Sequence, residues 1–91
     1  MTRFEWDEVK RMRTLQRREL DFAVATFLFD GRPNVTMAAR SEIEARFLTT
    51  GMLGEGKFYT VVWTQRGEAK RFISFRRAHN DEERAYHARH G

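Results

Sequence analysis

Two apolar runs, Phe58–Thr64 and Phe72–Phe75, are rich in Val, Phe, Tyr and Trp and are joined by the turn-like Arg66-Gly67-Glu68. Runs of this kind around a short Gly-containing link predict an antiparallel hairpin. Side chains alternate along a strand, which places Tyr59, Val61 and Trp63 on one face and Phe58, Thr60, Val62, Thr64 and Arg66 on the other. In the second strand the same rule puts Ile73 and Phe75 together and turns Phe72, Ser74 and Arg76 the opposite way. Pairing the apolar sets over a core leaves Thr64, Arg66, Ser74 and Arg76 on one polar surface.

The flanking patterns supply the rest of the sheet and its helices. Arg3–Trp6 alternates as a short strand, and Asp7 is placed to cap a helix running from Glu8 to about Leu20. Val9, Met12, Leu15 or Gln16, and Leu20 form a narrow apolar stripe on it, surrounded by Lys10, Arg11, Arg13, Arg17 and Arg18. This basic run is expected as a solvated helix face, with a nucleic-acid contact as the other reading. Asp21 caps a second helix, Phe22–Phe29, apolar nearly all round and expected against the sheet. Asp30-Gly31-Arg32-Pro33-Asn34 is a turn, and strands are expected at Val35–Arg40 and Glu44–Leu53, followed by the Gly54-Glu55-Gly56 turn. With Phe47 facing the core, Glu44 and Arg46 join the polar surface. After His79, Asn80 or Asp81 caps a short terminal helix carrying Tyr86. The pattern is α+β: an antiparallel sheet with two N-terminal helices on one face and a short C-terminal helix.

Length and composition sharpen this picture. Ninety-one residues, 41% of them hydrophobic and eight of them Phe, fit one globular domain over residues 1–91. The absence of cysteine excludes a disulfide scaffold, thiolate metal site or thiol nucleophile. With no signal peptide and no apolar run near the ~18 residues of a membrane helix, a cytoplasmic, non-membrane protein is expected. The net charge is +4, and fourteen of the seventeen basic residues are Arg. Guanidinium grips phosphate with a rigid fork, so a polyanion is the expected partner, although a genome favouring arginine codons gives the same composition.

Several blocks together resemble the BrnT toxins: Phe4-Glu5-Trp6-Asp7 with Lys10, Glu44 and Arg46, Val61-Val62-Trp63-Thr64-x-Arg66, Arg71-Phe72-Ile73-Ser74-x-Arg76-x-Ala78, and Glu83-Arg84 near Tyr86. The resemblance implies a RelE-like fold and a ribonuclease toxin of a type II toxin–antitoxin module that arrests translation. It also implies a BrnA-type antitoxin, a ribbon–helix–helix protein in a 2:2 heterotetramer with the toxin, and promoter DNA bound through that antitoxin. The chain departs from the family where Lys-His-Gly after the first helix becomes Arg17-Arg18-Glu19. Asp-Pro becomes Asp30-Gly31-Arg32-Pro33, and an Asp becomes Ala38. The first change removes an imidazole and predicts a different helix ending.

RNA cleavage without metal needs a base for the 2′-hydroxyl, an acid for the 5′-oxygen and cations for the charged phosphorane. Arg66 and Arg76 are expected to provide that cation pair by gripping one phosphodiester. Arg46 and Arg77 follow as phosphate contacts, and Lys10, Thr64 and Ser74 complete the RNA-binding set. The base is Glu44 or His79, each of which reads equally as a surface residue. Tyr86 stacks on a base, bonds phosphate or anchors the last helix. No metal or other cofactor is expected. The other functional reading is a non-catalytic nucleic-acid- or protein-binding module using the same basic face.

Overall fold

The computed structural model describes residues 2–91. A three-residue strand, β1 (Arg3–Glu5), leads into helix α1 (Glu8–Arg18) and a short helix α2 (Phe22–Ala25), which tightens into a 3₁₀ turn over Thr26–Phe29. Four strands follow, β2 (Asn34–Ala39), β3 (Arg46–Met52), β4 (Phe58–Arg66) and β5 (Ala69–Arg77), and helix α3 (Asn80–His90) closes the chain. The sheet order is β1-β5-β4-β3-β2. All neighbours are antiparallel except β1, which runs parallel to β5.

The core is the side of the sheet that receives α2. Phe22, Ala25 and Leu28 pack from the helical segment onto Val61, Trp63, Phe72 and Phe75, with Phe4, Trp6 and Phe47 at its margin. Rings pack at a tilt through this layer: Phe4 lies 5.3 Å from Phe72, and Phe47 lies 4.8 Å from Trp63. The Trp63 indole N–H, which would otherwise be buried without a partner, donates to Thr49 Oγ1 at 2.9 Å. Gly51 permits the close approach of the 3₁₀ turn, since a Cβ there would sit 2.9 Å from Leu28 Cδ2 and 3.2 Å from the Pro33 carbonyl. Gly51→Ala should therefore destabilise by about 1–3 kcal/mol, measurable by urea unfolding.

The β4–β5 hairpin forms as its pattern predicts but carries a bulge. Val62 faces Ser74 while Trp63 faces Phe72, so Ile73 is an extra residue. A bulge inverts the alternation beyond it. Phe72, expected on the polar face, is 1% exposed in the core, and Ile73 is no longer the neighbour of Phe75 on the core side. Arg71 takes the polar-face position beside Thr64 instead.

Helix α1 begins as expected, with Asp7 Oδ1 accepting from the Val9 and Lys10 N–H groups. Its apolar stripe meets the core only at Leu20, just past the helix end: no residue of α1 is buried, and Val9 and Met12 are 65% and 47% exposed. The helix runs beside β5, where Arg18 Nη1 donates to the Phe75 carbonyl at 3.0 Å. It ends at Glu19 in the left-handed region (φ 57°), with its N–H bonded to Leu15 O. The end is thus a glycine-type cap built with glutamate, which is strained by about 1 kcal/mol. Glu19→Gly should recover a good part of that strain and raise Tm by a few degrees in a thermal melt.

Helix α3 is capped by His79 rather than Asn80 or Asp81. The His79 backbone N–H donates to Glu82 Oε1 at 2.8 Å. The helix lies over the face of the sheet opposite α2 but covers only one end of it, with Tyr86 on Phe58 at 4.9 Å and Glu82 beside Thr60. None of the helices among the described residues is long and apolar enough to cross a membrane.

Candidate functional site

The face opposite the core divides into a covered half and an open half. On the covered half, Glu82 is 3% exposed and sits in a closed network. Arg76 grips it bidentately, with both nitrogen–oxygen distances at 2.8 Å, and Thr60 Oγ1 donates to it at 2.9 Å. Thr60 is in turn 2.6 Å from Thr50 Oγ1. Burial by itself raises the Glu82 pKa, but the Arg76 guanidinium, the His79 N–H and the Thr60 hydroxyl outweigh it and hold the carboxyl at about 2.

On the open half the register builds a basic cluster. Glu5, Arg71, Thr64 and Arg46 stand directly opposite one another on β1, β5, β4 and β3. Arg3, Ala69 and Arg66 form the next row on the same face. Strands lie about 4.8 Å apart, so the Arg46 and Arg71 backbones are separated by about 10 Å, with Arg66 roughly 7 Å further along β4 from Thr64. Arg46, Arg71 and Arg66 are therefore the cationic residues nearest in register to Thr64, whose hydroxyl donates to Ala45 O at 2.7 Å. Arg46 reaches Glu44 at 3.4 Å and Arg71 reaches Glu5 at 4.0 Å, both loose pairs. Arg66 is exposed and forms no ion pair among the described residues. Arg46 Nε is buried and has no hydrogen-bond acceptor among the described residues. A buried donor left over in this way is costly.

The residues expected at the site thus separate into two groups. Arg46, Thr64, Arg66 and Glu44 come together on the open half. Arg76, His79 and Tyr86 gather at the α3 end. Arg66 and Arg76 share the face but do not converge. The residue opposite Arg76 is Thr60, six positions from Arg66 along β4, or about 20 Å. Arg76 is in addition committed to Glu82. Ser74, opposite Val62, stands midway between the groups. Arg77 points to the other face, where its guanidinium lies 5.2 Å from the Tyr59 ring and its Nε donates to Phe58 O. Lys10 is on α1, lining a groove with Arg71. Tyr86 is 7% exposed and packed between Phe58, His87 and His90, as an anchor for α3 would be. His79 is largely exposed, with Nδ1 4.0 Å from Glu82.

Sequence reasoning missed Arg71, because the bulge reverses its parity, and Glu82, which looked like an ordinary acid in the first turn of a helix. Trp63 was correctly assigned to the core. Among the described residues no group of three or more His, Asp or Glu could hold a metal ion.

The protein is thus of the α+β class, a five-stranded and mostly antiparallel sheet with helices on both faces and a cationic open half. The chain shares the fold of the ribonuclease toxin BrnT from Brucella abortus, known from a 1.1 Å crystal structure, with a TM-score of 0.64 and 23% identity over 88% of this chain and 100% of that one. The family described as "Ribonuclease toxin, BrnT, of type II toxin-antitoxin system" matches residues 6–82. The chain belongs to the BrnT family. It is therefore a ribonuclease toxin whose module includes an antitoxin partner. A search of curated proteins gives no match.

Proposed function

We propose that this toxin cleaves single-stranded RNA without a metal ion, on the open half of the sheet face, and thereby arrests translation. The observation that carries the reading is the convergence of Arg46, Arg66 and Arg71 from three adjacent strands around Thr64. Adjacent strands fix the backbones that carry these cations before the substrate arrives, which favours stabilising a developing phosphorane charge. The 2′-oxygen attacks phosphorus as its proton passes to Glu44. The bond to the 5′-oxygen then breaks, and the leaving oxygen takes a proton from water. Arg66 and Arg71 hold the charge that accumulates on the phosphoryl oxygens. Arg76 and Tyr86 act here as supports that fix α3, and His79, beside Glu82 at the far end of the face, is too distant to serve this cluster as base. A BrnA-type ribbon–helix–helix antitoxin neutralises the toxin in a 2:2 complex, and promoter DNA is reached through that antitoxin.

Cleavage of single-stranded RNA by the purified protein in EDTA tests this. Cutting that persists in chelator and is lost in Arg66→Ala and Arg71→Ala supports it. A nuclease-free preparation that only retards RNA identifies a binding module instead.

A further inference from the structure

Helix α1 presents a cationic surface that the sheet-face site leaves unused. Lys10, Arg13 and Arg17 are exposed, and none forms an ion pair among the described residues. They do not project into open solvent alone, because two grooves separate α1 from β5. The first, about 330 Å³, is lined by Lys10, Arg13 and Arg71. The second, about 260 Å³, continues it past Lys10, Arg13, Arg17 and Arg18 to Ile73 and Ser74. Arg71 thus belongs to both surfaces: it stands in the Thr64 row of the sheet face and lines the first groove. The one carboxylate in these walls, Asp7, is turned onto the Val9 and Lys10 N–H groups as the cap of α1.

We infer that the substrate strand continues from the sheet face over Arg71 into these grooves, its successive phosphates held by Lys10, Arg13 and Arg17. This inference rests on the reading of the open face as the RNA site, and it extends the ligand from one phosphodiester to a multi-nucleotide single strand. Lys10 to Arg17 spans about 10 Å of helix, enough for a short run of phosphates beyond the scissile one. Unpaired cations in a groove suit a phosphate backbone. A protein partner would instead favour the exposed Met12 on α1, which lies outside both grooves.

The test is the salt dependence of binding in EDTA, using an oligonucleotide long enough to cross both grooves and made 2′-deoxy so that no attacking hydroxyl is present. For single strands each phosphate contact contributes about 0.7 to the slope of log affinity against log salt. Arg13→Gln/Arg17→Gln should lower the slope by about 1.4. Arg77→Gln/Arg89→Gln, which removes the same charge elsewhere, should change it by much less. An unchanged slope in the first variant, or equal changes in both, overturns the track. So does loss of antitoxin affinity with RNA binding intact, which would make the groove a protein-docking surface. Wild-type cleavage of the matching all-ribose strand, run in parallel, reports on the sheet-face site: its absence sinks that reading, whereas the slope comparison judges the track alone.

Discussion

Glu82→Ala should destabilise the toxin by about 3–5 kcal/mol, because it leaves the Arg76 guanidinium facing a hole where its bidentate partner was. Thr60 and the His79 N–H lose their acceptor in the same step. For a chain of this length that is a large fraction of total stability, and Tm should fall by well over 10 °C. Arg76→Ala should cost a similar amount, since it strands a buried carboxylate. Replacing both partners with leucine should recover much of the loss, because two apolar groups leave no unpaired charge.

The same network fixes an acid limit. The folded Glu82 pKa is lowered to about 2 from the ordinary carboxyl value of 4.5, so its contribution is fully present above pH 4.5. It is lost as pH falls from there towards 2, removing roughly 3 kcal/mol over that window. Urea unfolding between pH 6 and 2 should show a steeper decline in wild type than in the double-leucine variant. Parallel curves, or a Glu82→Ala melt close to wild type, would contradict this account of the network.

The second large effect is on rate rather than stability. Arg71→Ala and Arg66→Ala should each lower RNA cleavage by roughly 10²–10³, by analogy with other preorganised charge-stabilising donors. Arg66 forms no ion pair among the described residues and Arg71 only a loose one with Glu5 at 4.0 Å, so their melting temperatures should stay within a few degrees of wild type. Arg76→Ala separates the two kinds of loss. Its activity should fall with its folded fraction and return on cooling, whereas the Arg71→Ala defect should be the same at every temperature below the melt.

Much of this fold was legible in the residues. The strand runs, the Asp7 and Asp21 caps, the glycine turns and the core position of Trp63 all follow from local patterns that the structure keeps. What failed did so where pairing between distant segments overrode a local rule. Period-two reading assumes an unbroken ladder, and the extra residue at Ile73 exchanged Phe72 for Arg71 on the polar face. Glu82 carries the sequence signal of a helix start. Its burial depends on Thr60, twenty-two residues earlier on a strand, which nothing nearby announces. The stripe Val9–Met12 has helical spacing, yet α1 lies beside the sheet and leaves that stripe in solvent. The candidate site was therefore visible as a set of arginines on one surface but not as a place. Choosing Arg66 with Arg71, and releasing Arg76 to Glu82, required the register.

Comparing Arg71→Ala with Arg77→Ala in one cleavage assay asks the central question most directly. Each removes a single guanidinium from β5, and the two side chains lie on opposite faces of the sheet. With single-stranded RNA in EDTA and equal folded protein, the initial rate should drop by roughly 10²–10³ for Arg71→Ala and by less than about threefold for Arg77→Ala. Equal losses would mean that total charge, and not the cluster around Thr64, is what the RNA engages.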